Sequence, residues 1–119
     1  MYCGNPFIRT VRLKAAEGCM ERLRTILRNA VESCAGQEGI LVYFLHQERN
    51  NPDTFMLYEQ FSSDASFRMY LDSAALRKTM DEASGMLAGD PQVEIWGLLE
   101  KKQGKYKSSC IFTKCRSDK

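Results

Sequence analysis

Two segments of the chain, residues 39–46 and 54–61, carry apolar side chains on both faces. Side chains alternate sides along a strand. In the first segment Ile40, Val42, Phe44 and His46 share one side, and Leu41, Tyr43, Leu45 and Gln47 share the other. In the second, Phe55, Leu57, Glu59 and Phe61 oppose Met56, Tyr58 and Gln60. Between them the turn formers Arg49-Asn-Asn-Pro-Asp53 predict a β-hairpin. A sheet with one wet face alternates apolar and polar positions. This hairpin does not, so both of its faces need cover.

Residues 7–14 read as an earlier strand, with Phe7, Arg9, Val11 and Leu13 opposite Ile8, Thr10, Arg12 and Lys14. From Cys19 to Cys34 the period becomes helical: Met20, Leu23, Ile26, Leu27, Ala30, Val31 and Cys34 form one stripe. Gly36 is the expected C-terminal cap. After Phe61, Ser62-Ser63-Asp64 offers N-caps for a helix opening at Ala65, with Phe67, Tyr70 and Leu71 as its stripe. Asp72-Ser73 marks a break and a second cap. A further helix is expected to carry Leu76, Met80, Ala83 and Leu87 inward and to end at Gly89-Asp-Pro91. Residues 92–100 form the last strand, with Val93, Ile95 and Leu99 opposite Glu94, Trp96 and Leu98.

The order β-α-β-β-α-β predicts a ferredoxin-like α+β domain, a four-stranded antiparallel sheet with helices on one face. The other face is too apolar to stand open, which predicts a homodimer with sheets packed face to face, a dimeric α+β barrel.

Composition narrows the picture in four ways. At 119 residues and 44% hydrophobic content, the chain suits one core, over residues 1–100. No apolar run approaches the ~20 residues of a membrane span, and the start lacks a secretory pattern. The five cysteines (Cys3, Cys19, Cys34, Cys110, Cys115) are odd in number and scattered, and the single His46 lies far from them in sequence. Reduced thiols in a cytoplasmic protein, with no metal site, are the expectation. Residues 101–119 hold seven Lys/Arg against Asp118, a balance of +6, whereas residues 1–100 balance at −4. A flexible basic tail is therefore expected; as a solvated extension it makes nucleic acid an unlikely partner.

Four patterns carry a family likeness: Gly39-x-x-x-Tyr43, Pro52-x-x-Phe55-x-x-x-Glu59-x-Phe61, the helical stretch 62–76, and Ile95-Trp-Gly-Leu98. Through them the chain, from about Phe7 to Glu100, resembles the antibiotic biosynthesis monooxygenase family of small dimeric α+β barrels. The resemblance implies a cofactor-independent monooxygenase acting on a small aromatic, quinol or polyketide-like substrate. Many members carry two histidines in the helix after the third strand. By position these fall at Tyr70 and Ala75, and neither is histidine here. That departure keeps a second reading open, a non-catalytic dimeric binding or scaffold module.

Seven residues are candidates for the site. His46 suits proton transfer near neutral pH, or is a surface histidine beside the turn. Glu59 stands between Leu57 and Phe61 on an apolar face, so it needs a partner or an elevated pKa. It is a pocket base, or a brace paired with Arg9 or Arg12. Tyr70 is a hydrogen-bond donor to substrate or a core residue beside Phe67. Arg9 and Arg12 would stabilise charge, and Phe44 and Trp96, with Tyr43 and Tyr58, would line an aromatic cavity.

Overall fold

The computed structural model describes residues 7–100 and Lys102. The elements in chain order are β1 (Phe7–Lys14), α1 (Met20–Ser33), β2 (Ile40–Gln47), β3 (Thr54–Phe61), α2 (Asp64–Leu71), α3 (Ala74–Ala83) and β4 (Gln92–Gly97). The strands form one sheet in the order β2-β3-β1-β4, with neighbours antiparallel. This is the expected ferredoxin-like topology. The expected extension 101–119 lies outside the described residues, Lys102 apart.

Alternation sends one side of each inner strand into the core. Val11 and Leu13 of β1 and Phe55 and Leu57 of β3 meet Leu23 and Leu27 of α1 and Ala83 of α3. Leu23, Ile26, Leu27 and Ala30 are the buried stripe of α1. Each large side chain buried this fully contributes about 1.5–3 kcal/mol relative to exposure. A second cluster joins Phe61, Tyr70 and Cys34, with Phe7, Ile40 and Phe67 against it. Its rings meet edge-on or tilted: Phe61 lies 5.1 Å from Phe67 and 5.3 Å from Tyr70 between centroids.

The starts of α2 and α3 follow the cap chemistry. Ser63 accepts from the Ser66 amide at 3.1 Å, and Ser73 accepts from the Leu76 amide at 3.2 Å. The two caps split what would be one helix into α2 and α3.

Four local expectations are corrected. A β-bulge puts Ile40 opposite Phe61 but Val42 opposite Gln60, with Leu41 the extra residue. Ile40 therefore faces the helices, on the side of Tyr43 and Leu45, and not the side of Val42, Phe44 and His46. Gly36 is not a left-handed cap, because Gly18 and Gly85 are the only glycines with positive φ among the described residues. Instead α1 closes through successive short turns, Cys34 N to Val31 O and Ala35 N to Glu32 O. α3 ends at Ala83, because Ser84 turns extended and Gly85 takes φ +83°. Leu87 then leaves the helix and bridges to Ala15. β4 stops at Gly97, opposite Phe7, the first described residue of its partner.

Gly39 sits where β2 approaches α2. A Cβ there would collide with the Ser66 side chain. Ser66 cannot swing away freely, since its hydroxyl is bonded to those of Ser62 and Ser63 at 2.9 and 3.2 Å. Gly39→Ala is expected to destabilise the fold by about 1–3 kcal/mol in urea unfolding, with recovery in Gly39→Ala/Ser66→Gly.

Candidate functional site

The register of the sheet lines up Tyr43 of β2, Glu59 of β3 and Arg9 of β1 as direct neighbours in one row. Side chains opposite each other across strands stand close enough to interact. The row lies on the helix-facing side, a polar line across an otherwise apolar surface. Arg9 Nη1 donates to Glu59 Oε1 at 2.8 Å, and the Arg9 guanidinium lies 5.7 Å from the centre of the Phe67 ring. Glu59 is 0% exposed. Tyr70, on α2, leans over the row, its hydroxyl 2.8 Å from that of Tyr43.

These groups share a cleft of about 670 Å³ between the sheet, α2, α3 and the loop before β4. Its walls are mostly apolar, with Leu27, Leu57, Leu76, Met80 and Val93 among them. Small-molecule sites have this make-up, and their volumes run from about 300 to 1,000 Å³.

Electrostatics follow from burial. Desolvation pushes the Glu59 carboxyl above its ordinary range, and the charge and hydrogen bond of Arg9 oppose the rise. Glu59 Oε2 is buried with no hydrogen-bond partner. Tyr70 is pushed up to about 12, first by burial and then by the Glu59 charge. Tyr43 is raised further, first by burial and then by Tyr70 and Glu59. Both phenols therefore keep their protons near neutral pH. Burial also raises the Cys34 thiol, which makes it a packing group rather than a nucleophile. Among the described residues, no group of three His, Cys, Asp or Glu side chains could hold a metal ion.

The seven candidates fall on two faces. Arg9, Glu59 and Tyr70 meet in the cleft. Arg12, Phe44, His46 and Trp96 lie across the sheet, because they alternate with the inward positions. The brace open to either arginine is made by Arg9, while Arg12 points away. His46 is exposed, its ring Nδ1–H donating to the Met56 carbonyl at 3.2 Å. Phe44, 58% exposed, stacks on Tyr58. Trp96 donates from Nε1 to Thr10 Oγ1 at 3.2 Å. Arg12 and Trp96 line a separate concavity of about 620 Å³ on that open face. The sequence marked Tyr43 as an aromatic wall and gave no role to its hydroxyl. The signal that could have supplied one is the hairpin register, which sets Tyr43 opposite Glu59.

Fold and cleft together define a ferredoxin-like α+β domain whose helices cover a cleft floored by a buried carboxylate. The family model "Antibiotic biosynthesis monooxygenase" matches residues 6–82, and the chain belongs to that family. Solved structures agree in fold. A candidate antibiotic biosynthesis monooxygenase from Nitrosomonas europaea superposes with a TM-score of 0.76 at 18% identity, covering 83% of this chain and 95% of that one. The PA3566 protein of Pseudomonas aeruginosa gives 0.73 at 24% identity, over 86% and 100%. Rv0793 of Mycobacterium tuberculosis gives 0.76 at 15% identity, over 82% and 99%. None of the curated proteins compared matches the chain. Among the described residues no helix is long and apolar enough to cross a membrane.

Proposed function

We propose that the chain is a cofactor-independent monooxygenase acting on a small aromatic, quinol or polyketide-like substrate in the helix-side cleft. The observation that carries this reading is the buried, half-satisfied carboxylate of Glu59 at the floor of an apolar cleft. A desolvated carboxylate with one oxygen free of hydrogen bonds is suited to take a proton from a phenol, an enol or the carbon beside a carbonyl. Tyr70 donates a hydrogen bond to the oxygen on which negative charge develops. Arg9 stays on Glu59 Oε1 and moderates its charge. The electron-rich substrate anion then adds to dioxygen, and the peroxide anion so formed takes back the proton held by Glu59. Loss of water from the resulting hydroperoxide leaves a new carbonyl, with one oxygen atom of dioxygen in the product and the other in water. The cleft contributes positioning and exclusion of solvent.

His46, Arg12, Phe44 and Trp96 have no part in this chemistry, since they face away from the cleft. We assign their face to contact with a second copy of the chain. Phe44 and Trp96 are 58% and 51% exposed, and Ile8, Met56 and Tyr58 lie between them on the same face. A homodimer is expected in light scattering, with Phe44→Asp shifting it to monomer at micromolar concentration. A wild-type monomer at all concentrations would refute this assignment.

The test of the reaction is oxygen uptake with a panel of quinols and polyketide-like phenols. A non-catalytic binding module is the second reading, favoured by the loss of the family histidines at Tyr70 and Ala75. It predicts ligand binding without oxygen uptake.

A further inference from the structure

The cleft offers one donor and one acceptor that the protein leaves unused. Tyr43 and Tyr70 have two hydroxyl hydrogens between them. Their mutual bond uses one, and neither hydroxyl has another hydrogen bond among the described residues. A phenol has one hydrogen to give, so the pair retains one free O–H. Glu59, held by Arg9 through Oε1 alone, retains Oε2 as a free acceptor. Both sets of groups line the same cleft, and Tyr43 and Glu59 are direct cross-strand neighbours. Leaving a buried donor or acceptor unpaired is costly, so a ligand that satisfies both is favoured over one that satisfies either.

We infer that Tyr43, Tyr70 and Glu59 form a two-point anchor selecting a neutral, mostly apolar ring compound with one hydrogen-bond acceptor and one separate hydroxyl donor. The inference rests on the cleft being the ligand site, and it goes beyond the reaction in naming what the ligand must carry. An anionic ligand fits poorly, because Glu59 is itself charged when ionised and Arg9 is already engaged. A ligand whose donor and acceptor are bonded to each other gains little. Tyr43 is a positioning residue here. Its hydroxyl is bonded to that of Tyr70, so the pair has a single free hydrogen.

The test is calorimetric binding, at mildly alkaline pH and without turnover, of three matched bicyclic probes. Hydroxytetralones whose hydroxyl is not adjacent to the carbonyl carry both groups. Tetralone carries only the acceptor, and tetrahydronaphthol carries the hydroxyl without the separate carbonyl acceptor. In the wild-type protein the best hydroxytetralone is expected to bind roughly tenfold tighter than either single-function probe. Tyr43→Phe and Tyr70→Phe should each shrink the advantage over tetrahydronaphthol, which lacks the carbonyl. Both should leave the advantage over tetralone, which reads Glu59, nearly unchanged. The double variant, which has no O–H left, should lose clearly more than either single one, each of which keeps one free O–H. A variant that only loosened the fold would weaken all three probes alike.

Equal affinity for the three probes in the wild-type protein would overturn the anchor while leaving the cleft a binding site. That result needs no variant to fold. No binding of any probe would overturn the anchor and, with it, the cleft as the ligand site. Binding with the expected selectivity but no oxygen uptake would support the anchor and refute only the proposed reaction.

Discussion

Arg9→Leu is expected to cost the fold about 3–5 kcal/mol near neutral pH. The substitution removes the one partner of a carboxylate that is 0% exposed. The cost should depend on pH in a defined direction. Burial holds the folded Glu59 carboxyl above the unfolded value of about 4.3. Between those two values the folded chain binds the proton more tightly, so stability falls as pH rises through the window. Arg9 is the main influence opposing the rise. Without it the folded value climbs, the window widens upward, and the deficit of the variant grows from acid to neutral pH. Denaturant unfolding at several pH values reads this directly. Arg9→Leu/Glu59→Leu should regain much of the loss, because no buried charge is then left unpaired. A deficit independent of pH would mean that Arg9 contributes packing on Phe67 alone.

Glu59→Gln is expected to lower kcat by roughly 10²–10⁴-fold, the usual contribution of a positioned general base. The wild-type rate should rise with pH as Glu59 loses its proton, with an inflection above the ordinary carboxylate range. No alkaline fall from the Tyr70 hydroxyl is expected until about 12. Initial-rate oxygen consumption across pH, in both proteins, checks the two statements together. Full activity in Glu59→Gln would remove the carboxylate from the reaction.

Much of the fold was legible because local signals agreed. The stripe of α1, the serine caps of α2 and α3 and the turn formers of the hairpin each point to one structure. Clean alternation on β3 placed Phe55, Leu57, Glu59 and Phe61 together, and all four are buried. The bulge at Leu41 was illegible because a strand with apolar residues on both faces gives no sign when its phase slips by one. The same ambiguity hid which of the candidate residues share the side of Tyr70. His46, Phe44 and Trp96 have the chemistry of a pocket, yet only the packing of α2 and α3 decides which face carries the apolar cleft over Glu59. The early end of α3 was missed because Leu87 continues the helical spacing, while the left-handed turn at Gly85 is a backbone event. The pairing of Tyr43 with Tyr70 joins a strand and a helix 27 residues apart, which no local pattern can show.

The ligand is expected to enter between the sheet and the helices, onto Glu59. Amide and methyl chemical-shift mapping with the tightest-binding hydroxytetralone tests it most directly. Saturable shifts are expected centred on Leu57, Glu59, Tyr70, Leu76 and Ala83, with Thr10, Phe44, Tyr58 and Trp96 unmoved. Shifts centred on those four residues, with the helix-side cleft silent, would contradict it and move the site to the opposite face of the sheet.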